Sequence, residues 1–265
     1  MKPNKYLDDV LRGEELKSSE HTKTGFTEKT STQKTENLER ALNIYSEIVF
    51  AKEGELFGNI QSYINSLETV ILTPPQIDLF FQTILKESKD KLKSHETGLY
   101  LTKLIQNSYN NGHNNFTLTI GNNTLNLVCY ELKAKKERPL IITFDGIVGD
   151  LCCAFSEYII TTFNKHTGDN CCYESRNVVA TFNEVVRNLC GRGTTNMIAI
   201  FNGKVGNNCG LLSENMSGTF NGQVGKNCGE LSKNFIFKTR NIELYERMTN
   251  EFHKKGLDAK IELIK

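Results

Sequence analysis

The sequence predicts an α+β protein: an N-terminal helical region, then a parallel β-helix, then a helix and strand that close it. Three observations lead there. Apolar residues recur at three- and four-residue steps between positions 36 and 105. From Thr143 to Phe237 the chain says nearly the same thing five times, nineteen residues per unit and without insertion. After the repeats come one amphipathic stretch and one short alternating stretch.

Residues 1–34 are rich in Lys, Glu, Thr and Ser and carry few large apolar side chains. Such a segment cannot bury enough surface to offset its ordering entropy. It is expected to be a disordered tail, with at most a helical turn near Tyr6–Leu11. Residues 35–112 form the helical region. Leu38, Ala41, Leu42, Tyr45, Ile48 and Val49 mark its first helix, and Ile60, Tyr63, Ile64, Leu67 and Ile71 a second, over Leu56 to Leu72. Thr73-Pro74-Pro75-Gln76 reads as a helix start, with Thr as cap, Pro in the first turn and Gln closing a capping box. The helix that follows carries Ile77, Phe80, Phe81, Ile84 and Leu85. The last holds Leu99, Leu101, Leu104 and Ile105 and stops at Asn110-Asn111-Gly112.

Residues 113–138 are expected to form a β-hairpin cap and a basic loop. Phe116 to Leu132 alternates as two strands around a turn at Gly121-Asn122-Asn123. The repeats fill residues 139–238: TFDGIVGDLCCAFSEYIIT from Thr143, TFNKHTGDNCCYESRNVVA from Thr162, TFNEVVRNLCGRGTTNMIA from Thr181, IFNGKVGNNCGLLSENMSG from Ile200 and TFNGQVGKNCGELSKNFIF from Thr219. A fixed short period with strand-like runs is a solenoid signature, each unit one coil. Like residues should then lie one above another, roughly 4.8 Å apart. Phe144, Phe163, Phe182, Phe201 and Phe220 form one column, with each burial contributing about 2 kcal/mol. Asp145, Asn164, Asn183, Asn202 and Asn221 form another, whose amides can donate and accept along a ladder. Gly149, Gly168, Gly206 and Gly225 mark a corner; Arg187 breaks that column, so a bulge or strain is expected in the third unit. Residues 239–265 make the closing cap: an amphipathic helix from Asn241 to Lys255, Gly256 as its end, and a strand from Asp258 to Ile264.

Cys152, Cys171, Cys190, Cys209 and Cys228 form a third column, read as small apolar packing. Adjacent coils hold Cβ atoms about 4.8 Å apart, wider than the ~3.8 Å of a disulfide. A straight ladder also does not converge on one zinc ion. The doublets Cys152-Cys153 and Cys171-Cys172 are expected to turn their second thiols to the other side of the coil, which makes Cys153 and Cys172 the candidate reactive thiols.

The best units carry G-x-x-G-x-x-x-G, at Gly203, Gly206, Gly210 and at Gly222, Gly225, Gly229. At this period the pattern resembles the GXGXG right-handed β-helix domain, which ends the large subunit of glutamate synthase and makes up one of the subunits of formylmethanofuran dehydrogenase. The chain as a whole also resembles archaeal proteins that carry such coils. The resemblance spans about Leu140 to Thr239. Coil one has Gly146 and Gly149 but Cys153 as third member, coil two keeps Gly168 and coil three keeps Gly191. The resemblance implies right-handed coils and a bracing, non-catalytic role.

Charge and composition narrow the function. Net charge is +1, so no nucleic-acid footprint is expected. No apolar run is long enough for a membrane span, and the first residues lack the apolar core of a signal peptide, so a cytoplasmic location is expected. No cofactor is implied. The strands carry apolar residues on both faces, and an outward column of Ile160, Val179, Ile198 and Ile236 needs cover, from the chain's own helices or from a partner. A protein partner or a homo-oligomer is the expected company. Asp150 and Asp169 stack in one column with His166 and Arg187 nearby, a candidate cation or sugar site, against the plainer reading of exposed turn residues. The leading expectation is a non-catalytic scaffold or interaction module. The alternatives are a carbohydrate-active or cation-binding β-helix and a thiol or metal protein.

Overall fold

A computed structural model of the protein describes residues 29–50, 62, 66, 68–87, 94–257 and 259–265, without the side chains of residues 29–35 and 50. Among these residues the helices are α1 (Lys29–Phe50), α2 (Pro74–Glu87), α3 (Ser94–Asn110) and α4 (Ile242–Lys255), and residues 62 and 66 are also helical. Eight strands are β1 (Asn115–Leu125), β2 (Leu140–Val148), β3 (Glu157–Phe163), β4 (Arg176–Phe182), β5 (Thr195–Phe201), β6 (Ser217–Phe220), β7 (Phe235–Thr239) and β8 (Ala259–Leu263). They form one sheet in sequence order, and every neighbouring pair is parallel. Among the described residues no helix is long and apolar enough to cross a membrane.

From β2 to β7 the register joins residues nineteen apart: Phe144 to Phe163, Phe163 to Phe182, Phe182 to Phe201, Ser217 to Ile236. Away from the sheet the same offset links Val148, Thr167, Val186, Val205 and Val224 through single bridges. Parallel strands in this order are compatible with a β-solenoid. Each strand turns alternate residues inward. One inward column is Leu140, Ile159, Val178, Met197, Met216 and Phe235; the next holds Ile142, Thr161, Ala180, Ala199, Gly218 and Phe237. Phe144 to Phe220 form the third, fully buried, with stacked rings 4.8–5.0 Å apart. Phe237 extends that stack at 4.3 Å because Gly218 leaves room for the Phe220 ring.

The helix starts and stops follow local chemistry. Gln76 accepts the Thr73 backbone N–H at 3.0 Å, closing the capping box, and α2 begins at Pro74. Gly112, at φ +106°, ends α3. Asn241 caps α4 by accepting the Leu244 N–H, and Gly256 ends it at φ +61°.

Several expectations change. Helix α1 begins at Lys29, inside the span expected as tail; the turn at Tyr6–Leu11 lies outside the described residues. So does most of the helix expected over Leu56–Leu72; of its described residues 62 and 66 are helical, and those from 68 belong to no helix or strand, with Val70 and Leu72 buried. The hairpin at Phe116–Leu132 is instead one strand, β1, parallel to β2. Its Gly121 forms a bulge opposite Gly146, where a Cβ on Gly146 would lie 2.4 Å from the Gly121 nitrogen. Leu118 then faces the first ring of the ladder, so this segment is an additional layer and no hairpin.

Among the described residues no helix covers the outward column; α2 and α3 lie instead across the first layer. Asp78 accepts the Thr119 N–H at 2.7 Å and Gln82 donates to the Thr119 carbonyl. From α3, Ser94 accepts the Asn126 N–H, Thr102 the Cys129 N–H and Gln106 the Lys133 N–H. These side chains take the place of a preceding layer and satisfy the open edge. Backbone contact is close enough that a Cβ on Gly98 would overlap the Asn126 carbonyl. At the far end Phe252 of α4 sets its ring edge against Phe235 and Phe237. Ile160, Val179, Ile198 and Ile236 remain half-buried.

Arg187 is accommodated with little strain. Its N–H reaches the Thr167 carbonyl at 3.2 Å, where the equivalent bonds of Gly168, Gly206 and Gly225 are 2.9 Å. At the glycines the layers approach more closely than at Arg187: a Cβ on Gly206 would sit 2.7 Å from the Arg187 backbone carbon.

Candidate functional site

The corner before each cysteine brings three of the four candidate site residues into one cleft. Asp150, His166 and Arg187 line it together with Thr124, Asn126 and Gly149, around a volume of about 550 Å³. Asp169 is not part of this lining. The two acids are already engaged. Asp150 Oδ1 accepts the Asp169 N–H at 2.7 Å, and Asp169 Oδ1 accepts the Asn188 N–H at 2.8 Å. The series continues with amides: Asn188 accepts the Asn207 N–H, Asn207 the Lys226 N–H, and Asn126 accepts the Asp150 N–H, all at 2.8–2.9 Å. Acid and amide thus share one role. What the column requires is an acceptor oxygen, which a neutral Asn supplies as well as a charged Asp.

His166 points at its own neighbourhood. Its Nδ1 accepts the Val185 N–H at 3.3 Å and lies 3.2 Å from Glu184, which also pairs with Lys165 at 3.1 Å. Arg187 lies on the cleft. Among the described residues no group of three or more His, Cys, Asp or Glu side chains is arranged to hold a metal ion.

All eight cysteines are free and fully buried. This corrects the expected placement of Cys153 and Cys172. Alternation between faces assumes an extended backbone. Here Leu151, Cys153 and Phe155 have φ of +55° to +57°, as do Asn170 and Cys172, so both members of each doublet turn inward. Within the doublets the sulfurs are 3.7 and 3.9 Å apart. Burial pushes Cys129, Cys152, Cys171, Cys190 and Cys228 up. Cys153 is raised to about 12, chiefly by its hydrogen bond with Cys129, and Cys172 well up, chiefly by Cys153. Hydrogen bonds from Cys190 and then Cys228 pull Cys209 the other way, against burial. A thiol needs both exposure and thiolate character to react. Cys153 and Cys172 have neither.

The remaining columns are structural. Asn183 donates to Asn164 at 3.0 Å, Asn202 to Asn183 at 2.9 Å and Asn221 to Asn202 at 2.8 Å; the bonds begin at Asn164, above the carboxylate of Asp145. A second amide ladder, Asn177, Asn196, Asn215 and Asn234, stands where φ is +53° to +57°. Its spacing was present in the sequence as plainly as that of the first, and Asn tolerates this backbone better than most residues. A buried hydroxyl column completes the corner, with Ser156 donating to the Cys129 carbonyl and Ser175 to the Cys153 carbonyl, both at 2.6 Å.

No family model, curated protein or solved structure matches this chain.

Proposed function

We propose that the chain is a non-catalytic structural or protein-interaction module, built on a rigid right-handed β-solenoid of nineteen-residue coils of the GXGXG kind. The observation that carries this reading is the column from Asn126 to Lys226. Its stacked carboxylates, the strongest candidates for chemistry, serve the same backbone-capping role as the amides beside them. The thiols, the other candidates, are sealed in the core. A half-buried strip of Ile, Val and Thr runs along the outer face of β2 to β5 and is open to a protein partner.

The test is affinity purification of the tagged full chain, beside a variant with Val179→Lys and Ile198→Lys on that strip. A partner in fixed stoichiometry that the variant no longer retains supports the module. The second reading, a cation or carbohydrate site, is favoured by the meeting of Asp150, His166 and Arg187 at one cleft. Calcium or an oligosaccharide that raises the melting temperature, with the effect abolished by Asp150→Ala, would establish it in place of the first.

A further inference from the structure

The two ends of the sheet are treated differently. At β1 the free edge is taken up by Asp78, Gln82, Ser94, Thr102 and Gln106. At β8 the sheet stops, and among the described residues no helix side chain is bonded to its outer edge. The hydrogen bond from the Ile264 N–H to the Thr239 carbonyl, 2.9 Å, sets which residues face inward to β7. By alternation, Lys260 and Glu262 bond to β7, and Ala259, Ile261 and Leu263 present N–H and C=O to the free edge. The Ala259 N–H has a local acceptor at Leu257; Ile261 and Leu263 supply the rest.

We propose that this edge pairs with the same edge of a second copy of the chain, antiparallel about a two-fold axis through Ile261. A two-fold axis makes two edge strands antiparallel and self-complementary. Centred on Ile261, the register sets Lys260 opposite Glu262 of the second copy and Glu262 opposite its Lys260. Opposite charges fall together twice, on the face where Lys260 and Glu262 already lie 2.6 Å apart within one chain. On the other face Ile261 meets Ile261, and Leu263 meets Ala259. Leu263 is 44 % exposed in the single chain although its strand position faces inward, and this pairing covers it. A charged edge strand ordinarily discourages pairing. Here one cation and one anion per strand, two residues apart, repel a displaced register and accept this one. The strands are short, so the dimer is weak and concentration-dependent. The inference goes beyond the module reading and stands without it, since no partner of other kind is involved.

Sedimentation of the full chain across a concentration series is the test. The expected result is a monomer–dimer equilibrium. Ile261→Pro removes an N–H that faces the free edge and spares the bonds to β7. It should raise the dimer dissociation constant by roughly tenfold or more, with the dilute chain still folded and its melting temperature lowered only by the lost packing of the half-buried Ile261 side chain. Lys260→Glu and Glu262→Lys should each weaken the dimer alone, and an equimolar mixture of the two variants should restore it as a mixed pair. A chain that stays monomeric throughout overturns the proposal. So does a dimer indifferent to Ile261→Pro, or one lost through Ile198→Lys instead, or a mixture that associates no better than its components.

Discussion

Replacing Phe182 by Ala tests the ring ladder where it is most constrained. The side chain is 1 % exposed, and its ring lies between Phe163 at 4.8 Å and Phe201 at 4.9 Å, nearly parallel to both. Truncation of a core Phe costs about 3–5 kcal/mol, and the spread reflects how far the site can collapse. Collapse is blocked here. The Asn183 N–H bonds the Phe163 carbonyl at 2.9 Å, the Asn202 N–H bonds the Phe182 carbonyl at 2.8 Å, and the amide ladder ties the same layers outside. The cost therefore falls at the upper end, about 4–5 kcal/mol. At 2–4 °C per kcal/mol for a chain of this size, melting should drop by roughly 8–20 °C.

Phe144 supplies the control. It is equally buried, but it has one ring neighbour, Phe163, and Leu118 on its other side. Phe144→Ala should be milder by one ring pair, about 0.5–1.5 kcal/mol. Urea unfolding followed by far-ultraviolet circular dichroism reads both; the chain has no tryptophan to report. The slope with denaturant must match the parent, since repeat arrays can unfold in parts. A Phe182→Ala loss under about 2 kcal/mol, or a Phe144→Ala loss equal to it, would refute the stacked column as the source of stability.

Four further outcomes are expected. Thr167 stands in a column otherwise made of Val, buried, with no hydrogen-bond partner for its hydroxyl among the described residues; Thr167→Val should raise stability by about 1 kcal/mol in the same urea assay. Asp169→Asn should leave melting unchanged, because the amide oxygen still caps the Asn188 N–H, whereas Asp169→Ala should cost about 1 kcal/mol. Val178→Met overfills the space beside Cys172 and should lose about 1–3 kcal/mol; Cys172→Gly leaves a void but relieves a φ of +57°, so adding it to Val178→Met should recover at least ~1 kcal/mol. The urea midpoint should fall as pH rises above about 8.5, the ordinary thiol value. There the unfolded chain releases thiol protons that the folded chain, with its thiols other than Cys209 raised, still holds, so stability present below that pH is lost above it.

The register of β2 to β6 was legible because identical side chains at a fixed spacing leave one alignment that stacks them all. Phe144 to Phe220 and Asn164 to Asn221 need no other information. The layer at β1 was not legible. Its residues pair with β2 at an offset of twenty-six, Asn115 to Ile141, and share no motif with the units. Alternation plus Gly121-Asn122-Asn123 fits a hairpin equally well, and only the bulge opposite Gly146 decides the matter. The position of the helices was hidden for a different reason. Periodicity gives the apolar face of a helix, not the surface it meets. The signal for end-capping was polar: Asp78, Gln82, Ser94, Thr102 and Gln106 all lie on α2 and α3 and all bond the first layer. The candidate site was half legible. Asp150, His166 and Arg187 do share a cleft, but the Asn residues at 126, 188 and 207 already indicated that charge was not the column's requirement.

The eroded glycine motif has a volume explanation that ties the cysteine doublets to the core. The third motif position is Cys153, Cys172, Gly191, Gly210 and Gly229, all with φ of +55° to +68°. Six residues on, the inward column reads Ile159, Val178, Met197, Met216 and Phe235. A Cβ on Gly191 would come within 3.1 Å of the Met197 sulfur, on Gly210 within 2.8 Å of the Met216 sulfur, and on Gly229 within 2.7 Å of the Phe235 ring. Where the later residue is short, a cysteine fills the space; where it is long, the position empties to glycine. The first two units therefore keep the packing the glycines provide elsewhere by moving volume from one residue to another. Cys153 and Cys172 stand where they do because Ile159 and Val178 are small, which is a reason of fit and not of reactivity.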